Sequence, residues 1–403
     1  MSNLKSVVSI VKTTGNTEKD IDVAVRKSLE LIGGLADTVK PGNLVLIKPN
    51  LVAPGKDRLS GAITRYEICK AIADVVKEMG AEPVIAESSA AGVDTEKVIV
   101  FGQYDKLREQ GYQVVDLKKA TRQEIRIENG KIVQTLDSWE LVAKADVIVS
   151  VPIMKTHDQT DVTLGIKNLK GLIQDKQKKK FHTLGVFEGV VDIIECLKPK
   201  LTIMDGTIGQ EGLGPVFGEP VELGVIVASK DVVAADAVGS ALMGYEPQDV
   251  KITKIAHERG LGELNLDKIE VKGESIASVK RHFKRASEVE IEGVPPFTKL
   301  EDERACTGCK TTLISAIMDM KNDKIEWILE GKTIVIGPLP EEKLPKDVKK
   351  EDLILVGLCT RHLEKYGTHV KGCPPNNIWV VSAVAGDRLE VGRRYATEEG
   401  AND

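Results

Sequence analysis

Aromatic side chains make up only 4% of the chain, too few to line a groove on which the bases of a single strand would stack. Charge of one sign is scarce too. The 56 basic and 61 acidic residues leave a net charge of -5 over 403 positions, so the molecule as a whole is no polyanion binder and any cationic site is local. No run approaches the roughly 20 apolar residues of a membrane span, and the first ten residues lack the apolar stretch of a secretory signal. Neither a Walker loop nor a dinucleotide fingerprint occurs, which lowers the odds of a nucleotide enzyme. Six cysteines are too few for a disulfide-stapled fold of this length, and in a reducing compartment clustered thiols favour metal or redox chemistry. The expected location is the cytoplasm.

What the chain does have is a repeated alternation of strand and helix. Val7 opens a buried strand, Ile21 to Ile32 reads as an amphipathic helix, and Leu44-Val-Leu-Ile-Lys-Pro-Asn as a central strand with Lys48 and Asn50 at its carboxyl end. A helix from Tyr66 to Met79 closes at Gly80. Strands follow at Pro83 and around Val147, then at Leu201 and Leu223, with a helix from Val232 to Met243. This pattern predicts an α/β fold, a mostly parallel sheet with helices on both faces. Charged, irregular text from Lys272 to Leu300 marks a boundary, giving a large domain over 1–290 and a smaller α/β domain over 291–403. The small domain is expected to carry a helix after Cys309, strands at Thr333 and Leu353, and a last strand from Ile378 to Ser382.

Four of the six cysteines lie after residue 300. Cys306-Thr-Gly-Cys309 puts two thiols within reach of one centre, Cys359 ends a strand, and Cys373 sits in the turn Gly372-Cys-Pro-Pro. Strand ends and turns of a βα domain face one rim, so the four could converge on a [4Fe-4S] cluster, with zinc as the alternative. Cys69 and Cys196 fall on apolar helical faces and read as core residues.

A second constellation follows the strand around Val147. Lys155, His157, Lys167 and Asn168 lie in a polar run that empties from the carboxyl edge of the sheet, where open α/β folds hold ligands. The lysines would bind an anion as point charges and His157 would act as acid or base near neutral pH. Residues 161–172 are expected to be helical, capped by Thr160 or Asp161, and Lys176 to His182 to form a basic loop. The segment from Asp205 through Gly212 to Gly218 has the glycine density of backbone that approaches a ligand closely. Asp205 and Glu211 there are candidate acids or metal ligands, and turn formation accounts for Asp205 equally well. Asp236, an acid among Ala and Val, needs a partner or a pocket.

Taken in order, Val45-Leu-Ile-Lys-Pro-Asn, Val151-Pro-Ile-Met-Lys-Thr-His, Gly165-Ile-Lys-Asn-Leu-Lys-Gly, Leu201-Thr-Ile-Met-Asp-Gly and Ala228-Ser-Lys-Asp-Val-Val-Ala-Ala-Asp resemble the domain of unknown function 362 family over residues 5–265. The resemblance implies a shared fold, a frequent association with iron–sulfur clusters, and a site at Lys48, Asn50, Lys155, His157, Lys167 and Asn168. Unlike ferredoxin-bearing members, this chain has no Cys-x-x-Cys-x-x-Cys run, which favours a single centre. The resulting expectation is an iron–sulfur enzyme, a reductase or cluster-assisted lyase, acting on a small anionic substrate in a lysine-lined cleft between the domains. Asp205 and Gly212 join Lys48, Asn50 and Asn168 as substrate-binding candidates, and a redox partner protein is expected rather than nucleic acid or membrane. The other readings are a non-catalytic electron-transfer or metal-binding module and a zinc-stapled ligand-binding protein.

Overall fold

Strands β2 (Leu44–Pro49) and β7 (Val147–Val151) lie side by side and parallel at the middle of a ten-stranded sheet, Lys48 opposite Ser150. A computed structural model describes residues 6–388. Within them the chain forms two compact units, the larger taking in 6–157, 162–179 and 187–285, the smaller 158–161, 180–186 and 286–388.

The sheet of the larger unit uses β1 (Ser6–Lys12), β2, β3 (Glu82–Glu87), β4 (Gln113–Asp116), β7, β10 (Leu201–Glu211), β11 (Glu219–Ser229) and β12 (Ile269–Gly273). Its order is β12-β1-β11-β10-β7-β2-β3-β4, with β8 (Ile153–His157) and β9 (Asp161–Thr163) off this path. Pairs are parallel from β10 across β7 and β2 to β4 and between β1 and β12, and antiparallel where β11 meets β1 and β10. A separate hairpin pairs β5 (Arg122–Arg126) with β6 (Thr135–Trp139).

The apolar runs become central strands because both faces are covered. Val45, Ile47, Val149, Ile203 and Ile226 share a core with the helices Glu18–Leu31 and Tyr66–Glu78, while the alternating Leu46, Ile148, Met204 and Val227 are equally buried on the other face. Each such side chain contributes about 1.5–3 kcal/mol. Local caps set the helix starts. Thr17 and Asp20 form a capping box, and Asp231 accepts from the amides of Val233 and Ala234 at 2.9 and 3.0 Å to start Val232–Leu242.

The smaller unit holds an all-parallel sheet in chain order, β13 (Thr298–Glu301), β14 (Thr333–Ile336), β15 (Leu353–Val356) and β16 (Thr368–Val370). Its core joins Ile334, Ile336, Ile354 and Val356 to Leu313, Ile317 and Met320 of the helix Thr307–Asn322.

Local structure departs from the sequence expectation at five places. Ile378 to Ser382 is not a strand but lies in the helix Asn377–Ala385, because Asn376 caps it through the Ile378 amide at 3.0 Å and packing of Val380, Val381 and Val384 overrides their β preference. Residues 161–172 are not one helix. β-Branched Val162 and Thr163 continue a strand, and only the turn Gly165–Asn168 and a 3-10 turn follow. The basic run Lys176 to His182 is not a loop but part of the helix Asp175–Leu184, held by buried Lys178, which donates to the carbonyls of Ser88 and Ser89 at 2.9 and 2.7 Å. The glycine-rich stretch belongs to β10 as far as Glu211, since Gly209 lies where a Cβ would come within 2.4 Å of the Met154 carbonyl. Cys359 lies beyond its strand, on the 3-10 turn Leu358–Leu363.

Candidate functional site

Chain order and sheet order diverge at β2. From there β3 and β4 step outward on one side, while β7 returns to the other, so β2 and β7 flank a topological switch point. Ligands of open α/β sheets bind outside the carboxyl ends of the strands at such a point. The residues found there are Lys48, Asn50, Ser150, Lys155 and Asn168.

They form one buried hydrogen-bonded chain. Lys48 Nζ donates to Glu87 Oε2 at 2.6 Å and to Asn168 Oδ1 at 3.0 Å, and Asn50 Nδ2 donates to the same Asn168 oxygen at 3.1 Å. Asn168 Nδ2 in turn donates to the Lys48 carbonyl at 3.0 Å and Ser150 Oγ at 3.1 Å, which leaves that amide fully engaged. Lys155 Nζ reaches Asn50 Oδ1 at 3.0 Å and the carbonyls of Ala62 and Pro215 at 2.5 and 2.9 Å. Lys167 Nζ lies 3.2 Å from His157 Nε2. An ammonium has only donors, so with Lys167 charged that nitrogen is the acceptor.

Positive charge is in excess here. Burial lowers the Lys155 pKa well below its ordinary value, the charges of Lys167 and Lys48 lower it further, and Glu87 only partly opposes them. Lys48 is also lowered by burial, against the pull of its partner Glu87. A fully buried amine whose three acceptors are all neutral favours either loss of its proton or the arrival of an anion.

Other predicted positions serve the backbone. Asp205 accepts from the amides of Arg65 and Thr207 at 3.0 and 3.1 Å and from the Thr207 hydroxyl at 2.7 Å, and burial raises its pKa. Glu211 accepts from the Lys284 amide at 2.9 Å. Gly212, in a left-handed conformation, donates to the Lys284 carbonyl at 2.7 Å and accepts from the Thr156 hydroxyl at 3.0 Å. Asp236 has the partner its setting demands: its two oxygens accept from the amides of Gly165 and Ile166 at 2.6 and 3.0 Å and so cap the turn bearing Lys167 and Asn168. Burial pushes its pKa up to about 8 against those two bonds.

Sequence reasoning missed Glu87, the counterion of Lys48, and Ser150. Their signal was positional, a polar residue at the carboxyl end of an apolar strand. It missed Gly171 as well, where a Cβ would come within 1.9 Å of Glu87 Oε1 and 2.7 Å of Lys48 Nζ.

In the smaller unit the cysteines follow the carboxyl ends of three strands, Cys306 and Cys309 after β13, Cys359 after β15 and Cys373 after β16. Cys306 is the N-cap residue of Thr307–Asn322, so both thiols of the pair stand at the positive end of a helix dipole. Close backbone contacts bring the segments together. Gly308 sits where a Cβ would lie 3.2 Å from Pro374, a Cβ on Gly357 would lie 2.7 Å from Cys309 Sγ, and the Leu358 amide donates to the Gly372 carbonyl at 2.9 Å. The Cys309 thiol is raised well above its ordinary pKa, first by its hydrogen bond with Cys306, then by burial and by the charges of Cys306, Cys373 and Cys359. The Cys309 thiol therefore feels the other three, and a cation beside it would reverse that shift. Thiolate is the donor type that an iron–sulfur cluster or zinc takes. Among the described residues no three His, Cys, Asp or Glu side chains form a group that could hold a metal ion.

The family model described as Domain of unknown function (DUF362) matches residues 45–241, a span that holds the whole switch-point network and stops short of the four clustered cysteines. The Thylakoid-associated protein sll1697 of Synechocystis sp. is 30% identical over 267 residues, covering 62% of this chain and 78% of that protein. The chain belongs to the DUF362 family. Among solved structures, the lactate racemase apoprotein from Thermoanaerobacterium thermosaccharolyticum aligns with a TM-score of 0.38 and 11% identity over 96% of this chain and 91% of that one, a likeness too loose to bear on chemistry.

Proposed function

We propose that the protein is an iron–sulfur enzyme acting on a small anionic substrate, with the cluster held by Cys306, Cys309, Cys359 and Cys373. The observation that carries this reading is that all four cysteines lie beyond the carboxyl ends of strands of one four-stranded parallel sheet, two after β13, one after β15 and one after the last strand β16. Cysteines that were only core residues would have no reason to share that edge. No disulfide joins the cysteines among the described residues, which suits a reducing compartment such as the cytoplasm. No helix among the described residues is long and apolar enough to cross a membrane.

When bound, the cluster would supply electrons or a Lewis-acidic iron. The chain's own residues supply the rest. Lys155, with Lys48 behind it, offers positive charge at the switch point, and an entering carboxylate would satisfy what neutral carbonyls do not. Asn50 and Asn168 fix the direction of donors at the strand ends. His157, paired with Lys167, is the group placed to take or give a proton near neutral pH.

Anoxic purification followed by iron and acid-labile sulfide analysis tests the reading. Brown protein with matching iron and sulfide, both lost in Cys306→Ser, is the expected result. Colourless protein holding one zinc per chain would overturn it.

A further inference from the structure

Two loops close over the switch point, and the same pair of side chains holds both. Gln210 on β10 is the register partner of Lys155 on β8. Lys155 Nζ donates to the Ala62 carbonyl, in the loop that leaves β2, and to the Pro215 carbonyl, in the loop 212–218 that joins β10 to β11, at 2.5 and 2.9 Å. Gln210 Nε2 donates to the Ser60 and Val216 carbonyls of the same two loops at 3.0 and 3.3 Å. Amine and amide therefore stand side by side. Glycine lets the loops come this close, since a Cβ on Gly61 would lie 2.1 Å from the Gly209 carbonyl and one on Gly214 2.0 Å from the Thr156 carbonyl. Among the described residues no backbone hydrogen bond runs directly from one loop to the other. The bonds that span both run through Lys155 and Gln210.

One atom of this closed arrangement is left over. Gln210 is fully buried, yet its Oε1 accepts no hydrogen bond from the described residues. The two carbonyls at Nε2 fix which end of the amide is the oxygen. A buried acceptor left open is costly, and folded proteins give nearly every one a donor from protein, water or ligand. Here the open oxygen neighbours an amine whose own acceptors are all neutral.

These two groups select a ligand by two features. The amine favours a carboxylate over the loop carbonyls it now holds, because a charge-assisted bond is the stronger one. The oxygen takes a donor close to that carboxylate. An ammonium could serve, but the charges of Lys48 and Lys167, which already act on Lys155, would repel it. A hydroxyl brings the proton without the charge.

We propose that the switch point binds a small hydroxycarboxylate, its carboxylate on Lys155 and its hydroxyl donating to Gln210 Oε1, and that the two loops part to admit it. This rests on the small-anion reading above, names its substrate class, and uses residues of the larger unit alone. As the carboxylate takes Lys155 from Ala62 and Pro215, each loop loses one tie while Gln210 Nε2 keeps another. Gln210 is then the residue that sets specificity.

Isothermal titration calorimetry of the whole chain at neutral pH with glycolate, acetate and glycine tests it, since these probes differ in carrying a hydroxyl, no donor and an ammonium. Glycolate should bind about tenfold more tightly than acetate, the worth of one hydrogen bond, and more tightly than glycine. Gln210→Met should bring glycolate and acetate within about twofold of each other. The ratio is the readout, because Met also gives up the bonds to Ser60 and Val216, and the wild-type comparison stands even where that variant does not fold. Equal wild-type affinity for glycolate and acetate would assign the oxygen to a water and overturn the proposal, as would a glycolate preference that survives Gln210→Met. Glycine bound more tightly than glycolate would overturn the choice of hydroxyl. Failure of both glycolate and acetate to bind would instead remove the small-anion reading beneath it.

Discussion

Lys48 Nζ and Glu87 Oε2 meet at 2.6 Å with only 2% and 3% of their side chains open to water. The pair closes two adjacent parallel strands of the sheet at their carboxyl ends, and the Glu87 oxygen that meets Lys48 also accepts from the Leu51 amide at 3.0 Å. Glu87 thus links the lysine to the loop that leaves β2.

Glu87→Gln should be strongly destabilising. Removing one member of a buried pair strands the other charge, at a cost of about 3–5 kcal/mol. Urea denaturation followed by circular dichroism measures it, and a midpoint equal to wild type would show that Lys48 is already neutral.

Gly171→Ala should injure the same pair without touching either charge. A Cβ within 1.9 Å of Glu87 Oε1 forces the carboxylate away, an overpacking cost of about 1–3 kcal/mol. Additivity in the double variant with Glu87→Gln would show that the two changes act separately, contrary to expectation.

Lys155 makes stability depend on pH in a definite direction. Its folded pKa lies well below the ordinary 10.5, so between the two values the unfolded chain holds more protons and stability rises with pH. Below the folded value the cost of the buried charge is constant. Urea midpoints taken from neutral pH toward 10 should climb in the wild type, and Lys155→Met should lose up to about 1.4 kcal/mol per pH unit of that slope. An unchanged slope would assign the effect to Lys48 or to Lys178, which burial lowers to about 8.

Asp236→Asn should loosen the turn that bears Lys167 and Asn168. An amide nitrogen would face one of the two backbone N–H groups, a cost of about 1–3 kcal/mol. Its effect on titrations with small carboxylates, followed by calorimetry, should exceed that of Asp205→Asn, whose bonds go to Arg65 and Thr207.

The parallel sheet was readable because strands buried on both faces are continuous apolar runs, and the helix Tyr66–Glu78 because its apolar periodicity closes at Gly80. Lys48, Asn50, Lys155 and Asn168 could be grouped because each follows or ends such a run. The partner of Lys48 could not, since Glu87 lies 39 positions away and only strand register brings them together. The helix Asn377–Ala385 was misread because Ile, Trp and Val favour strands, and the cap at Asn376 was not read from the sequence. For the cysteines, spacing suggested one rim. Which thiol faces water depends on packing against glycines that spacing does not reveal.

The all-parallel, chain-ordered sheet of the smaller unit sets a timetable for biosynthesis. A ribosome releases Cys306 and Cys309 before Cys359 and Cys373 have been translated. If the four thiols hold a cluster as proposed, the early pair would meet soft cations first, and a donor of preassembled clusters would find no complete set of ligands until the last strand and the Cys373 turn had emerged.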